Sequence, residues 1–449
     1  MKQKFIYGLM ASAALNVLGA VDEGEKKGTT SPQPSPPAER ENAGRATNAV
    51  ALDALVSQAL RENPEIQFYR AELAAARAGR KAAGLMPNPE MSGLAGHKSS
   101  REISTGMNAE GVAWAVSVVQ PFEWPGRIGL RKAIANRDVE LAELGLERFR
   151  VALASRVRVL AFGWFAAEQR AAAAREVAER FKALREVLVQ REAAGIAPLL
   201  ETRVIEATEL TMQRKASEAD LASRSALLEL NQLRGVAPAS VLSVAEPALE
   251  FGASGSNDEL LALAGTNNFE LRVRATELSQ QGFRVALAKN ERFPAVKVGP
   301  SFSEENAFER ERVIGLGVSF PLPLWNRNAA SIEAAAARQM QAQTSLLVAQ
   351  REVERKVVEA ASVYGSKVRE LGKWRADAVA HFREAAELAD RHYRLGAVPV
   401  STYVELQKQY LEAVEAILDT KKDALQAAQE LELLTGRSLY KSSAAEKGP

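Results

Sequence analysis

The chain has 449 residues and no cysteine, and its 58 basic and 56 acidic residues leave a formal net charge of +2. Without cysteine we expect no disulfide, thiolate metal ligand, cysteine nucleophile or lipid-carrying cysteine. The charge close to zero gives no electrostatic reason to expect a nucleic-acid partner.

The N-terminus has the order of a secretory signal peptide. Two lysines precede an apolar run at 5–14, and small residues follow up to Ala20. This order predicts a signal peptide at 1–20 rather than a buried helix, and a disordered Pro-rich linker at 21–49. No later apolar run reaches the roughly 18 to 20 residues of a spanning helix. Strands would therefore have to make any contact with a bilayer.

The rest of the chain is an internal duplication. Matching residues recur at nearly constant separations: Pro89 with Pro294 (205 residues), Pro121 with Pro321 (200), Gly195 with Gly396 (201) and Gly235 with Gly436 (201). Such a repeat predicts two copies of one architecture. We expect the first copy at 50–238 and the second at 258–439, with a linker at 239–257 and a tail at 440–449.

Each copy is predicted to open with one helix and to continue with two strands. The helices are Leu52 to Gly84 and Asp258 to Asn290, and the strands are 91–97, 112–119, 295–303 and 313–320, where the apolar period changes to two residues. The charged connections Lys98 to Glu110 and Glu304 to Glu311 are expected to be exposed loops.

Bulky and small residues alternate along these strands. In the second strand, one face would carry Val112, Trp114, Val116 and Val118, and the other Ala113, Ala115, Ser117 and Val119. This alternation is typical of a barrel wall between lipid and water, although a half-buried sheet of a soluble protein would also produce it. Four strands cannot close a barrel, and an open edge is not viable in lipid, so a barrel requires an oligomer.

A long helical hairpin completes each copy, at 126–235 and at 327–436. Apolar residues recur there at the three- and four-residue steps of a coiled-coil seam. The Gly- and Pro-containing stretches Ala194–Pro198 and Leu395–Pro399 are the predicted tips. No proline lies between Asn326 and Arg394, so we expect one uninterrupted helix of roughly 100 Å in the first arm of the second hairpin.

Nothing in the sequence points to catalysis, a cofactor or a resident metal. The three histidines, His97, His381 and His392, lack the spacing of a zinc-binding helix. The pair Gly315 and Gly317 lacks the rest of a dinucleotide-binding fingerprint. We therefore predict that the protein is not an enzyme.

From about Ala51 to Leu439 the chain resembles the TolC-like outer-membrane efflux proteins. The likeness rests on the duplicated order of helix, strand pair and helical hairpin, and on two local motifs. These motifs, Phe122–Arg127 and Pro321–Asn328, follow the second and fourth strands and are similar to the branch that serves heavy-metal efflux, the CzcC and CusC type. The absence of a lipobox cysteine departs from the lipidated relatives.

The resemblance implies a mainly α fold with a β-barrel portion. Three copies would form a 12-stranded barrel in the Gram-negative outer membrane and a tunnel of helices in the periplasm. The implied partners are outer-membrane lipid, a periplasmic adaptor protein and an inner-membrane RND transporter that supplies the energy.

The resemblance also implies functional positions. In the family the helical tips contact the adaptor, which points to Gly195, Ile196, Ala197, Gly396, Ala397 and Val398. Acidic residues six and nine positions after the second tip glycine narrow the tunnel. Those positions are Thr402, which departs from the acidic pattern, and Glu405, and Glu201 corresponds to Thr402 in the first copy. The alternatives are turns that merely end helices and a solvated charge at Glu405.

Two tryptophans stand at the predicted strand-to-helix junctions. Trp124 follows the second strand and Trp325 the fourth. Because an amphipathic ring favours the boundary between water and lipid, we expect both to be interfacial anchors.

The sequence thus favours a passive outer-membrane exit duct of a tripartite pump for heavy-metal cations. Efflux of drugs or other small molecules and type I secretion are alternatives within the family. A coiled-coil scaffold of the envelope is the alternative from another class, and the two strand pairs and the signal peptide argue against it.

Overall fold

The computed structural model describes residues 50–104, 106–193, 199–307, 309–375 and 377–444. The predicted signal peptide and most of the predicted Pro-rich linker lie outside these ranges. In chain order the elements are α1 (Leu52–Glu62), α2 (Glu65–Ala83), β1 (Glu90–Arg101), β2 (Asn108–Phe122), α3 (Arg127–Ala193), α4 (Leu199–Arg234), β3 (Pro247–Phe251), α5 (Asn257–Asn267), α6 (Phe269–Asn290), β4 (Val296–Asn306), β5 (Arg310–Ser319), α7 (Ala329–Leu371), α8 (Ala378–Arg394), α9 (Val400–Thr435) and β6 (Tyr440–Ala444).

The strands form two sheets. A four-stranded antiparallel sheet has the order β1-β2-β4-β5, and a separate two-stranded sheet joins β3 to β6. In the helical part α2 packs on α3, α3 on α6, and α6 on α7, while α3 also packs along α4 and α9. The predicted combination of long helical hairpins with four sheet strands is confirmed.

Each copy opens with two helices, so the prediction of a single opening helix was wrong. Asn63 and Asn268 interrupt the helical pattern, because their side-chain oxygens accept hydrogen bonds from the first N–H groups of α2 and α6. Their amide nitrogens donate to the carbonyl oxygens of Leu233 (2.9 Å) and Leu434 (3.1 Å), in the last turns of α4 and α9. Both copies thus dock their opening helices on the returning helix in the same way.

The first arm of the second hairpin is also broken, against the prediction of one helix. After Leu371 the chain leaves the α-helix, and the N–H groups of Lys373 and Trp374 donate to carbonyls only three residues back. The separation of matching residues rises from 200 at Pro121 and Pro321 to 201 at the tip glycines. The first arm of the second hairpin therefore holds one residue more than the first arm of the first hairpin. Inside a continuous helix, one extra residue would rotate all following side chains by about 100°. The break after Leu371 accommodates the extra residue without this rotation.

The sheet strands are longer than predicted, and the expected loops are mostly strand. The β1–β2 ladder continues from Glu90 opposite Val119 to Arg101 opposite Asn108, and β4–β5 from Lys297 to Asn306. Charged side chains extend the pairing. Lys98 on β1, for example, places Nζ 2.7 Å from the carboxylate of Glu305 on β4.

The predicted linker and tail are partly strand. β3 lies in the linker 239–257, and β6 lies in the tail from Tyr440. The hydroxyl of Tyr364 on α7 donates to the carbonyl oxygens of Gly252 (2.6 Å) and Leu439 (3.2 Å), which fixes both segments against the helices. Sequence patterns missed this sheet because each strand has only five residues and its partner is distant.

The hydrophobic core lies between the helices. Val177 and Phe181 on α3, Ile205 on α4 and Leu425 on α9 are fully buried in one cluster along the two hairpins. Smaller clusters lie under the opening helices of each copy. No helix within the described ranges has both the length and the apolarity that crossing a membrane requires.

Candidate functional site

The four-stranded sheet has one bulky apolar face. Cross-strand partners share a face, and the register places Val116 opposite Phe302, and Phe302 opposite Ile314. Most bulky side chains on this face are exposed, with Ile314 82% and Leu316 72% accessible, whereas Val298 and Phe302 are half-buried. The face carries the predicted set Val112, Trp114, Val116 and Val118 together with Val298, Phe302, Ile314, Leu316 and Val318.

The opposite face is mainly small and polar, with the bulky exceptions Leu94, Val119 and Val313. It carries Ala115 and Ser117 of β2, Ser301 and Ser303 of β4, and Gly315 of β5. A sheet with bulky apolar residues on one side and small polar ones on the other matches a wall between lipid and water.

Both outer strands of this sheet have an unpaired edge within the described chain. The order β1-β2-β4-β5 leaves one side of β1 and one side of β5 without a neighbouring strand. Unpaired N–H and C=O groups are costly in lipid, so each edge requires a further strand there.

Two helices present apolar stripes with no partner in the described chain. On α4 the stripe is Leu210, Leu221 and Leu228, and on α7 it is Met340, Leu347 and Val358, all exposed. In both stripes the residues follow one another at steps of 7 and 11, which return to the same side of a helix. These are the faces that further helices would cover.

The second tip is a tight helix-ending turn. Gly396 has φ +74°, and the N–H groups of Gly396 and Ala397 donate to the carbonyls of Tyr393 and His392, both at 2.9 Å. This is the Schellman pattern, in which glycine takes the left-handed position at no steric cost. The corresponding predicted residues of the first tip, Gly195, Ile196 and Ala197, lie outside the described residues.

The exposed residues of the second tip differ from those predicted. Gly396 and Ala397 are exposed, but Val398 is half-buried and packs against the core cluster of the hairpins. Leu395, which belongs to the predicted tip but was not among the predicted contact residues, is 80% accessible. The sequence indicates this exposure. The buried stripe of α8 runs through Ala386, Ala389 and Tyr393, and its helical spacing excludes Leu395.

The predicted gate residues fall in two places. Thr402 and Glu405 lie three residues apart on one exposed face at the start of α9, and Gln409 Nε2 donates to Glu405 at 2.8 Å. Glu201 on α4 instead accepts a hydrogen bond from the hydroxyl of Tyr393, at 3.2 Å. Glu201 therefore links the first hairpin to the tip of the second.

An aromatic cluster lies directly behind the second tip. Tyr403 is fully buried, stacks on Tyr393 with ring centroids 5.3 Å apart, and meets Phe181 of α3 edge-on at 5.2 Å. Its hydroxyl has no hydrogen-bond partner among the described residues. Burial accordingly raises the pKa of Tyr403 above its ordinary value.

A polar network connects the two hairpins further along. The guanidinium of Arg180 on α3 lies 2.6 Å from Glu176, 3.4 Å from Glu387 of α8 and 3.3 Å from Gln407 of α9. Gln407 is fully buried and donates to the carbonyl of Ala386 at 2.8 Å. Three helices are thus cross-linked at one point, where Gln407 is buried and Arg180 is half-buried.

The motif Phe122–Arg127 forms the junction between sheet and helices. Arg127 donates to Asn290 Oδ1 at 3.1 Å and to the carbonyl of Phe293 at 2.5 Å, just beyond the end of α6. Trp124 stacks on Phe293 at 4.7 Å, whereas Trp325 is 94% accessible. The structure therefore gives Trp124 a packing contact and leaves the ring of Trp325 exposed.

Metal-binding geometry is not found in the described ranges. Their Asp, Glu and His side chains form no group of three or more that could hold a metal ion.

Comparison with known proteins identifies the family. The family model described as "Outer membrane efflux protein" matches residues 55–236 and 260–437, one match in each copy of the duplication. The chain belongs to this outer membrane efflux protein family. A short segment between the two matches is left unmatched, in the region where the sequence predicts a linker between the copies.

Individual relatives agree with this assignment. The chain is 25% identical over 305 residues to the cobalt-zinc-cadmium resistance protein CzcC of Cupriavidus metallidurans, covering 67% of this chain and 70% of the relative. It is similar to the crystal structure of CusC with a TM-score of 0.67 and 14% identity, over 87% of this chain and 92% of that one. The outer membrane channel CmeC of Campylobacter jejuni gives a TM-score of 0.68 with 16% identity, over 86% and 85%. The predicted fold class is confirmed.

Proposed function

We propose that three copies of this chain form the outer-membrane exit duct of a tripartite efflux pump for metal cations. The observation that carries the proposal is the four-stranded sheet with an exposed bulky face and two unpaired edges. Pairing β1 of one copy with β5 of the next would satisfy both edges and close a barrel.

The width of a barrel supports three copies rather than two. Two copies would give eight strands, whose interior is just wide enough for side chains. A third copy widens the barrel enough to leave a lumen, which the small residues Ala115, Ser301 and Gly315 would line. The apolar stripes of α4 and α7 would meet between neighbouring copies in the helical tunnel.

The assignment to metal cations rests on similarity and on one charge. The relative CzcC is described as a cobalt-zinc-cadmium resistance protein. Three copies of Glu405, exposed near the tips, would place a ring of carboxylates in the tunnel and attract cations. Thr402 would lie on the same face and Glu201 behind it, as a link between hairpins.

The helical tips are the proposed contact with the periplasmic adaptor. In the second hairpin Gly396 and Ala397 are exposed beside Leu395, and the small residues would let an adaptor helix approach closely. The first tip would contribute Gly195, Ile196 and Ala197. The adaptor would join the duct to an inner-membrane RND transporter, which supplies the energy for a passive conduit.

The test combines oligomer mass with conductance of the detergent-purified protein in planar bilayers. We expect a trimer and a small, cation-selective conductance whose preference falls in Glu405→Gln. Glu415→Gln is the control, because Glu415 is also exposed on α9 but lies away from the tip. A monomer that stays soluble after lysis and carries no current would favour a coiled-coil scaffold.

Cargo is tested in cells that lack their own metal duct. The chain, supplied with its adaptor and pump, should restore growth in zinc, cobalt or cadmium. Restored tolerance to organic drugs without restored metal tolerance would contradict the metal assignment and leave the duct function intact.

A further inference from the structure

A basic groove lies between the end of α2 and the beginning of α3, next to the sheet. It has a volume of about 710 Å³, and four basic side chains line it: Arg77, Arg80, Lys81 and Lys132. Its floor includes the buried Val139. The volume is within the roughly 300 to 1,000 Å³ typical of sites for small ligands.

Most of the positive charge in this groove is uncompensated. Arg77 pairs with Glu143 at 3.0 Å. Across the part of the chain that the structure describes, no carboxylate lies within ion-pair distance of Arg80, Lys81 or Lys132, and all three are exposed. The groove therefore presents three cationic groups to an anion from outside the chain.

The position of Lys132 depends on Gly84. A Cβ on Gly84 would overlap Cε of Lys132 and lie 3.2 Å from its Nζ. Because glycine has no side chain, Lys132 lies across the end of α2, beside Lys81. The last turn of a helix favours basic residues by itself, so the duplication is needed to judge whether the fold requires these charges.

The second copy builds the same fold without this cluster. At the matching separations, Arg77 corresponds to Gly282, Arg80 to Val285, Lys81 to Ala286 and Lys132 to Ile332. Gly282, Val285 and Ala286 belong to α6 and Ile332 to α7, which pack on one another as α2 and α3 do. The basic residues are thus specific to the first copy and dispensable for this helix packing.

Exposed apolar residues stand beside the groove. Leu85 lines the groove and Met86 follows it in the chain, and the two side chains are 67% and 55% accessible. An apolar rim next to a cluster of basic side chains is the arrangement that binds a lipid, with acyl chains on the rim and the headgroup on the cations.

We propose that the basic groove binds the phosphate-bearing headgroup of an anionic glycerophospholipid in the periplasmic leaflet of the outer membrane. The proposal rests on the proposed function, since the barrel places the junction of sheet and helices at that boundary. Arg80 provides a planar guanidinium for two phosphate oxygens, and the two lysines add point charges. Each chain carries one such groove, in the first copy of its duplication.

The test measures lipid retention by the full-length protein in detergent. Dioleoylphosphatidylglycerol is titrated against dioleoylphosphatidylcholine and followed by native mass spectrometry. The variant Arg80→Gln/Lys81→Gln/Lys132→Gln should bind the anionic lipid about 100-fold more weakly at low salt, because each basic group near an anionic lipid surface contributes severalfold in affinity. The control Arg61→Gln/Lys373→Gln/Lys408→Gln removes three exposed cations elsewhere and should bind like the wild type.

Three results would overturn the proposal. The triple variant and its control could retain the anionic lipid equally well. Inorganic phosphate at millimolar concentration could displace the lipid completely, which would make the groove a site for free anions. The triple variant could lose oligomer mass with no dependence on lipid, which would assign the groove to the contact between copies.

A failure of the lipid site can be distinguished from a failure of the proposed duct function. Oligomer mass and conductance of the wild type are measured first, in phosphatidylcholine alone. If these fail, the duct is wrong; if they succeed and lipid selectivity is absent, only the lipid site is wrong.

Discussion

The two hairpins come from one duplicated unit, yet they differ in the middle of the first arm. In the first copy α3 runs without interruption for 67 residues. In the second copy the arm is divided into α7 and α8. Near the position of the break, the first copy has the alanine run 171–174, and the second has Gly372, Lys373, Trp374 and Arg375. Alanine is the best helix former and glycine among the poorest.

The difference shows how a repeat tolerates a change of length. One extra residue inside a continuous helix would turn every following apolar side chain away from its neighbours. The break restores the buried face of α8, including Ala386, Ala389 and Tyr393. A cavity of about 450 Å³ lies beside it, between α3 and α9, with Phe162, Phe165 and Trp374 among its lining residues. The first arm of the second hairpin thus has a joint between Leu371 and Ala378, whereas the first arm of the first hairpin is one continuous helix.

The largest expected effect is that of a one-residue insertion. An alanine inserted after Ala172 should destabilise the protein by about 5 kcal/mol or more, because it rotates Val177, Phe181 and Leu184 out of the core and each loses about 1.5 to 3 kcal/mol of burial. The same insertion between Lys373 and Trp374 should cost under about 1 kcal/mol, since no helix continues there. Denaturant unfolding followed by circular dichroism measures both. Equal costs would mean that the break does not adapt to length.

The next effect concerns two glycines that differ in backbone conformation. A Cβ would meet nothing within 4 Å at either Gly396 or Gly79, but only Gly396 has a positive φ. Gly396→Ala should therefore lower the free energy of unfolding by about 1 to 2 kcal/mol, whereas Gly79→Ala, inside α2, should raise it by about 0.5 to 1 kcal/mol. Thermal unfolding of the two variants decides. A stabilising Gly396→Ala would contradict the left-handed turn at the tip.

Removal of the hydroxyl should change the stability of the protein differently at two tyrosines behind the tip. Tyr393→Phe removes the hydrogen bond to Glu201 and should cost about 1 kcal/mol. Tyr403→Phe removes a buried hydroxyl that has no partner within the described residues, so its effect should be zero or slightly stabilising. Melting temperatures of the two variants provide the comparison. If Tyr403→Phe proved the more harmful, the hydroxyl of Tyr403 would have an undetected partner.

The smallest effect is expected at the joint itself. Arg375 donates two hydrogen bonds of 3.0 Å to Asp377, and His381 Nε2 lies 2.7 Å from the same carboxylate. Arg375 first, and His381 second, hold the pKa of Asp377 well below its usual value near 4. A carboxylate with a lowered folded pKa contributes stability above its unfolded pKa and loses it as the pH falls towards the folded pKa.

The pH dependence of Asp377→Asn follows from that sign. The wild type should exceed the variant in stability by a constant amount from pH 8 to about pH 5, and the difference should shrink below about pH 4. Unfolding curves at several pH values measure it. A difference that grows towards acid pH would contradict the assigned contacts.

Much of the architecture was determined by local sequence. The four sheet strands, the long helices and the glycine of the second tip could be predicted because each depends on residues close together in the chain: a period of two, a period near 3.6, or one glycine shortly before a proline. The duplication could be predicted because matching residues recur about 200 positions apart. The exposed positions of Gly396, Thr402 and Glu405 also agree with where the sequence puts the tip and the first turns of α9. Whether they dock an adaptor or narrow a tunnel stays a prediction.

The tertiary structure alone decided which distant contacts hold the helix breaks in place and how Val398 is packed. Asn63 and Asn268 end one helix and cap the next while bonded to carbonyls 170 and 166 residues away. Val398 is half-buried because the core of the hairpins offers it a contact. Such choices depend on neighbours that are distant in the sequence, and a local pattern carries no information about them.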